Sequence, residues 1–211
     1  MKYEYKRFTG GLLGSNTYLL WNPESKRAIV IDPGNPAEET EAFARSLSLT
    51  VSGIVLTHGH YDHVCYMSEY KKLFQAPVLC TRPECENLAE PYRNASVLFG
   101  SAVKYPPADV IVDEGSVIPL DGQGKDGPVV LCTPGHTSGG ICILAGQLLF
   151  TGDTLFYGNF GRTDLGDGST AELKRSIERL YAMDPALIVL PGHGTQSTIG
   201  REREENPFWM F

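Results

Sequence analysis

The sequence predicts an α/β fold in which sheets form the inner layers and helices cover them on the outside. Two observations support this fold class. Short apolar runs that are typical of strands recur along the chain, and helical patterns lie between them. The run VSGIVLT at residues 51–57 is almost entirely apolar, as expected for a strand covered on both faces. No repeat or linker interrupts the chain, so we expect a single domain over residues 1–211.

The first part of the chain predicts two strands, NTYLLWN at residues 16–22 and RAIVID at residues 27–32, with a turn between them. A helix should follow, with Asn35 as its N-cap and Pro36 at the first helical position. Four later runs predict further strands: PVVLCT, GGICILAG, QLLFTG and ALIVLPG.

Two more helices are predicted from the spacing of apolar residues. One should begin after His63, since its apolar residues recur at i, i+4, i+7 and i+8. These residues are Tyr66, Tyr70, Leu73 and Phe74. The other should begin at a capping box formed by Ser169 and Glu172. Its apolar face consists of Leu173, Ile177, Leu180 and Tyr181.

Composition excludes several functional classes. The net charge is −7 and the lysines and arginines do not cluster, which argues against a nucleic-acid partner. No run is long and apolar enough to cross a membrane, and the first residues lack the apolar stretch of a signal peptide. The five cysteines are odd in number and include no CxxC pair, which is typical of reduced thiols. We therefore expect a cytoplasmic protein without a membrane partner.

Histidine and aspartate residues follow four of the apolar strands, and together they include all five histidines. Side chains at strand ends are positioned by a rigid sheet, so they are candidates for function. The residues are His58, His60, Asp62, His63, His136, Asp153 and His193. Each motif alone could be a turn, because Asp and Gly are common turn residues. Their recurrence at four strand ends favours a metal site.

The spacing of these residues has a physical explanation. In an extended segment residues i and i+2 point the same way, so His58 and His60 can reach one ion together. Asp62 and His63 follow as the chain turns into a helix, and they should face a neighbouring position. Imidazole nitrogen and carboxylate oxygen are ligands of zinc. Seven ligands exceed the needs of one ion, but they suit two ions that share one carboxylate.

Four motifs together resemble the metallo-β-lactamase superfamily: HGHYDH, TPGHTSGG, FTGDTLF and PGHG. The similarity extends from NTYLL to the terminal NPF at residues 206–208. It implies a four-layer αββα sandwich with a dinuclear metal site between the loops of the two sheets. Within the superfamily, FGRTDLGDG at 160–168 and the final PGHGTQSTIGREREENPF resemble the short glyoxalase II-like hydrolases.

The resemblance implies a role for each candidate. The first metal would be held by His58, His60 and His136. The second would be held by Asp62, His63 and His193, and Asp153 would bridge the two. Asp32 would orient ligands from behind, although a plain turn aspartate is an equal alternative. The cofactors would be two divalent ions, zinc first, with iron or manganese as alternatives.

The sequence also departs from glyoxalase II. The chain ends before the helical C-terminal region of that family, and Arg162, Thr163 and Asp164 replace its lysine and tyrosine contacts to glutathione. Arg162 is then the candidate for binding an anionic substrate. Cys65 lies where many relatives have glycine, and it is either close to the metals or an inert buried thiol. Aromatic residues of the middle region are expected to line the pocket or to be local core: Tyr92, Phe99 and Tyr105.

The resemblance predicts hydrolysis of a small thioester, such as a glutathione thioester, by a hydroxide that bridges the two metals. Asp62 and Asp153 would be the catalytic carboxylates. One alternative is a non-haem iron persulfide dioxygenase, which would use only His58, His136 and Asp153. A lactonase or other small-ester hydrolase is a second alternative. A third alternative is a metal-binding protein without catalysis, but the complete ligand set of this chain argues against that alternative.

Overall fold

The computed structural model describes residues 2–121, 124 and 126–207. Its elements form four layers: two sheets stack face to face, and helices pack against the outer face of each. This confirms the predicted arrangement of inner sheets and outer helices, and with it the αββα order. Phe208 of the NPF motif lies outside the described residues.

The first sheet comes from the first half of the chain. Its strands are β1 (Glu4–Thr9), β2 (Asn16–Trp21), β3 (Arg27–Ile31), β4 (Thr50–Val55), β5 (Val78–Cys80) and β6 (Val110–Ile111). They lie in chain order across the sheet. The first three pair antiparallel, and the pairs from β3 to β6 are parallel. The carboxyl ends of β3 and β4 therefore meet at the same edge.

The second sheet comes from the second half of the chain. Its strands are β7 (Val129–Cys132), β8 (Ile141–Ala145), β9 (Leu148–Gly152), β12 (Ile188–Pro191) and β13 (Ser197–Thr198). Their order is β13-β12-β9-β8-β7, and β9 pairs in parallel with β12. A separate two-stranded pair is formed by β10 (Leu155–Phe156) and β11 (Asn159–Phe160).

Six α-helices are described in addition to the strands. They are α1 (Ala37–Ser46), α2 (Tyr61–Val64), α3 (Met67–Phe74), α4 (Arg82–Ala89), α5 (Thr170–Tyr181) and α6 (Ile199–Glu205). Two short 3₁₀ turns lie at Leu12–Gly14 and Ser96–Phe99. Among the described residues, no helix has the length and apolar character needed to cross a membrane.

Strand alternation divides the interior into three cores. In β2, Leu19 and Trp21 face α1 and α3, whereas Tyr18 and Leu20 face the second sheet. Successive side chains of a strand point to opposite faces. A strand that is apolar at every position therefore contributes side chains to the cores on both of its faces. The third core lies between the second sheet and α5, and Leu173 contributes to it as predicted.

One predicted helix start is wrong by one position. Helix α1 begins at Ala37, with Pro36 as its N-cap residue and no side-chain cap. The Asn35 amide donates instead to the Ser15 carbonyl at 3.1 Å and to Thr17 Oγ1 at 3.0 Å. Glu69 of α3 accepts from the Ala37 N–H at 2.9 Å. A distant carboxylate thus supplies the cap that a local residue was expected to provide.

The other two predicted helices agree with the structure to different degrees. The helix expected after His63 is in fact two elements, since α2 already contains His63 and α3 starts at Met67. Tyr70 is buried in α3 as its spacing indicated, but Leu73 is exposed. Half of the capping box of α5 is confirmed, because Ser169 Oγ accepts from the Glu172 N–H at 3.4 Å. The Ser169 N–H donates to the Gly135 carbonyl at 2.7 Å and not to the Glu172 side chain.

Phe150 in the core between the sheets offers a test of this packing. Its ring is fully buried and lies edge-on to Tyr18, with centroids 5.1 Å apart. We expect Phe150→Ala to lower the free energy of unfolding by about 3–5 kcal/mol, because it leaves a cavity between the sheets. Tyr92→Ala, at an exposed position, should change it by less than about 0.5 kcal/mol. Denaturant unfolding of both variants gives the comparison, and equal losses would contradict it.

Candidate metal centre

The second sheet delivers three of the candidate side chains to one edge. Pro191 of β12 pairs with Gly152 of β9, so the residues just beyond them, Asp153 and His193, leave the sheet side by side. Strand β7 is antiparallel to β8, which is antiparallel to β9. It therefore runs in the same direction as β9, and His136 emerges at the same edge.

The first sheet delivers the other four candidates to the same place. His58 and His60 lie in the loop that follows β4, and Asp62 and His63 lie in α2. All four are buried. The side chains of both sheets thus converge across the end of the sandwich, and the structure brings together all seven residues that the sequence singled out.

Three histidines form one group, which we call the three-histidine set: His58, His60 and His136. One ring nitrogen from each lies within 4.8 Å of the others. The Nδ1 of His58 is paired with Thr57 Oγ1 at 3.1 Å, and the Nδ1–H of His136 donates to the Arg162 carbonyl at 2.7 Å. These contacts fix the two rings with their Nε2 atoms facing the centre of the set.

The other group, which we call the mixed set, consists of Asp62, His63 and His193. One ligand atom from each again lies within 4.8 Å of the others. Asp62 Oδ2 lies 3.2 Å from His193 Nε2 and 3.6 Å from His63 Nε2, and the two Nε2 atoms are 3.1 Å apart. Three potential ligand atoms therefore point at one small volume.

Asp153 lies between the two sets. Its Oδ1 is 3.3 Å from His63 Nε2, and its Oδ2 is 3.5 Å from His193 Nε2 and 3.6 Å from His136 Nε2. One carboxylate therefore contacts histidines of both sets, which is the position that a bridging ligand requires.

The residues present fit a pair of metal ions. Within the described part of the chain, the buried atoms that form no hydrogen bond include three of the centre: His58 Nε2, His60 Nε2 and Asp153 Oδ1. Buried polar atoms are normally paired, so these orphans indicate a missing partner. Ligands about 2.0–2.1 Å from a tetrahedral ion lie about 3.3 Å from each other, which matches the spacing in the mixed set. Gly192 completes the fit, since a Cβ there would lie 2.3 Å from Asp153 Oδ1.

Comparison with known families agrees with this geometry. The family model described as the metallo-beta-lactamase superfamily matches residues 10–193, which span the whole candidate centre. The chain belongs to the metallo-β-lactamase superfamily.

Relatives with named functions lie within this superfamily. Hydroxyacylglutathione hydrolase GloC of Haemophilus influenzae is 34% identical over 198 residues, which cover 92% of each chain. The crystal structure of BLEG-1, a B3 metallo-beta-lactamase, has a TM-score of 0.88 and 31% identity, and covers 99% of this chain and 100% of its own. TTHA1623 in a di-iron-bound form has a TM-score of 0.83 and 33% identity, with 96% and 99% coverage.

Asp32 lies behind the metal-facing atoms. Its carboxylate accepts from the Thr57 N–H at 2.7 Å and the Thr57 hydroxyl at 2.6 Å, and it pairs with His63 Nδ1 at 3.1 Å. Both of its oxygens thus already form hydrogen bonds. One of them also lies within 4.8 Å of a ring nitrogen of His58 and of His63, so Asp32 is close enough to share a metal ion with these histidines. The contact with Nδ1 leaves Nε2 of His63 facing Asp153, which suits the predicted orienting role.

The sequence reasoning missed Glu84, a fully buried residue of α4. Its carboxylate accepts from the Gly59 N–H at 2.7 Å, the Thr137 hydroxyl at 2.5 Å and the Gly139 N–H at 3.2 Å. Gly59 lies between two histidines of one loop, and Thr137 follows the histidine of another. Glu84 therefore joins the two loops that carry the three-histidine set. The sequence offered one signal that Glu84 is buried. It lies four residues before Leu88, and residues at this spacing share one face of a helix.

Burial and charge divide the centre into two electrostatic environments. Burial lowers the pKa of His58 well below its usual value and lowers that of His60 to about 3, so both rings are neutral, the form that binds metal. Burial also lowers the pKa of His63, but the carboxylates of Asp153 and Asp62 outweigh it and hold that pKa well above its usual value. In return, His63 outweighs burial at Asp153 and holds the pKa of that carboxyl well below its usual value.

Cys65 and Arg162 both lie near the candidate ligands. Burial raises the pKa of the Cys65 thiol to about 11, and its Sγ lies 3.6 Å from the Gly34 carbonyl. Cys65 is half-buried, and its protonated thiol packs against backbone. Arg162 borders the cleft above the metals, but its guanidinium donates two hydrogen bonds to Asp164, at 2.6 and 2.8 Å.

The cleft above the two sets has a volume of about 310 Å³. Phe99 lines it, as expected for the middle region. Tyr92 and Tyr105 do not: Tyr92 is exposed on the surface, and Tyr105 is buried in the core beneath the first sheet.

Glu84 gives a testable prediction for this centre. We expect Glu84→Gln to lower the free energy of unfolding by about 1–3 kcal/mol, because an amide leaves at least one buried donor without an acceptor. Metal affinity should fall by roughly 10–100-fold, as for other residues that support ligands from behind. Calorimetric metal titration and thermal melts measure the two effects.

The matched control is Glu86→Gln on the same helix, whose exposed side chain forms an ion pair with Arg93 at 3.7 Å. It should leave metal affinity unchanged. If Glu84→Gln lowers stability but binds metal as tightly as the native protein, Glu84 does not position the ligands.

Proposed function

We propose that this protein is a metal-dependent hydrolase that cleaves a small thioester of the hydroxyacylglutathione type, with two divalent ions, zinc first. His58, His60 and His136 would hold one ion, Asp62, His63 and His193 the other, and Asp153 both. Bound metal ions polarise a carbonyl and lower the pKa of water to about 7, which supplies a nucleophile near neutral pH.

The observation that carries this proposal is the contact of Asp153 with histidines of both sets. A persulfide dioxygenase would use His58, His136 and Asp153 alone, and would leave a second, complete set of ligand atoms without a role. Hydrolysis with two ions uses every one of the converging side chains. The 34% identity to a hydroxyacylglutathione hydrolase over 92% of both chains supports the thioester as the bond that is cleaved.

The remaining residues of the chain provide orientation and shape. The Arg162 carbonyl and the Asp32 carboxylate each engage Nδ1 of a histidine, so that Nε2 is directed inward. Phe156 and Phe160 border the cleft and would exclude water from one side of the reacting bond of a bound substrate. The carboxylates of Asp62 and Asp153 balance only part of the charge of two divalent ions, so the centre attracts an electron-rich carbonyl although the chain is acidic.

The first test is hydrolysis of lactoylglutathione by protein whose metal content has been counted. We expect the thioester absorbance to fall in the presence of the metal-loaded protein. This loss should stop when a chelator removes the metal. Oxygen uptake is measured in parallel with glutathione persulfide as substrate. Oxygen consumption without thioester cleavage would contradict the proposed hydrolase and favour the persulfide dioxygenase.

The second test concerns Asp153. We expect Asp153→Ala to lose metal and activity together, by more than the roughly 100-fold that loss of a supporting residue costs. Metal analysis of the purified variant and thioester turnover measure this. The control Asp113→Ala changes an exposed aspartate outside both sets and should retain both properties. Full activity of a metal-loaded Asp153→Ala protein would refute the bridging role.

A further inference from the structure

The cleft above the metal ligands has an apolar rim. Side chains from the Leu12–Gly14 turn, the Ser96–Phe99 turn, the β10–β11 pair and the segment after it border the cleft. The rim consists of Leu13, Leu98, Phe99, Phe156, Phe160 and Leu165. Its two most exposed members, Leu13 and Leu98, are 75% and 64% exposed. Large exposed apolar side chains grouped around a cleft mark a binding surface, whereas scattered ones do not.

Leu13 is held at the rim by a strained backbone. Its φ is +54°, a left-handed conformation that costs a non-glycine residue about 1 kcal/mol or more. The turn is fixed against the centre, because Ser15 Oγ donates to the Asp62 carbonyl at 2.9 Å and the Asn16 N–H donates to the Gly192 carbonyl at 2.7 Å. Since Leu13 itself is not buried by any of these contacts, packing does not explain a leucine at this position.

The turn that carries Leu98 is attached to the centre in the same way. The Tyr61 N–H donates to the Asn94 carbonyl at 2.8 Å, and the Phe99 ring packs on Tyr61 with centroids 5.4 Å apart. Tyr61 is the first residue of α2, the helix of Asp62. Both apolar turns therefore have fixed positions relative to the candidate metal ligands.

The cleft offers little to bind the charges of glutathione. Carboxylates are typically bound by arginine or lysine, and glutathione carries two of them. Among the described residues that line the cleft, Arg162 is the only arginine or lysine. Its guanidinium already forms a two-bond ion pair with Asp164, so it would have to leave that carboxylate to bind another.

We propose that the cleft selects substrates by an uncharged apolar group, alkyl or aryl, next to the bond that is cleaved, rather than by the carboxylates of glutathione. This inference rests on the proposed thioester hydrolysis and names its substrate class. The apolar group is buried against the rim, and Leu13 and Leu98 determine specificity by covering it.

The first part of the test compares four thioesters with the metal-loaded protein: lactoylglutathione, phenylacetylglutathione, phenylacetyl-N-acetylcysteamine and the S-benzyl thioester of lactic acid. We expect at least one apolar substrate to exceed lactoylglutathione by about tenfold or more in kcat/KM. We also expect the exchange of glutathione for uncharged N-acetylcysteamine to change kcat/KM by less than about threefold. A tenfold preference for lactoylglutathione over all three would overturn the inference but keep the proposed function.

The second part measures binding without turnover. Calorimetry follows S-benzyl-N-acetylcysteamine, a thioether with no bond to hydrolyse, as it binds to the metal-loaded protein. We expect Leu13→Asn and Leu98→Asn each to weaken binding by about five- to tenfold, because each removes apolar surface that the ligand covers. Asn tolerates a left-handed backbone, so Leu13→Asn should melt at the same temperature as the native protein or higher.

The control is Tyr92→Asn, which removes an exposed aromatic ring outside the cleft and should not change binding. If the thioether binds and the rim variants weaken it, but no thioester is cleaved, the proposed function fails while the apolar cleft stands. If the thioether does not bind, or binds equally to all variants, the apolar rim has no part in recognition.

Discussion

The contact between His63 and Asp153 joins the two sheets where the chemistry is concentrated. His63 belongs to the helix that follows β4 of the first sheet, and Asp153 follows β9 of the second. Their ligand atoms lie 3.3 Å apart. This distance depends on how the two sheets stack, so the core between them, with Phe150 against Tyr18, contributes to the geometry of the centre. Packing that is remote from the candidate ligands thus helps to hold them at this spacing.

Much of the fold and the composition of the site could be predicted from the sequence. Apolar runs identify buried strands, and a histidine or aspartate directly after such a run is a local signal that needs no knowledge of distant contacts. Strand direction then brings these residues to one edge, as Asp153 and His193 illustrate. The assignment of each residue to a particular metal came from the resemblance to a family, and it remains a prediction.

What the sequence could not predict depends on contacts between distant segments. Asn35 has the chemistry of an N-cap, but Ser15 and Thr17 offer its amide better partners, so the cap of α1 comes from Glu69 in another helix. Glu84 meets Gly59 and Thr137, which are 25 and 53 residues away in the sequence. In the irregular middle region, an aromatic residue in the cleft and one in the core have the same local pattern.

The division of the sheets along the sequence has a consequence for folding. The first sheet uses residues 4–111 and the second uses residues 129–198, so each is made from one continuous half of the chain. A metal ion held by His60 and His136 would join these halves, and its binding energy would stabilise the folded chain because the site exists only when both halves are folded. The ion would therefore act as a reversible cross-link, and metal supply would govern how long the two halves stay together.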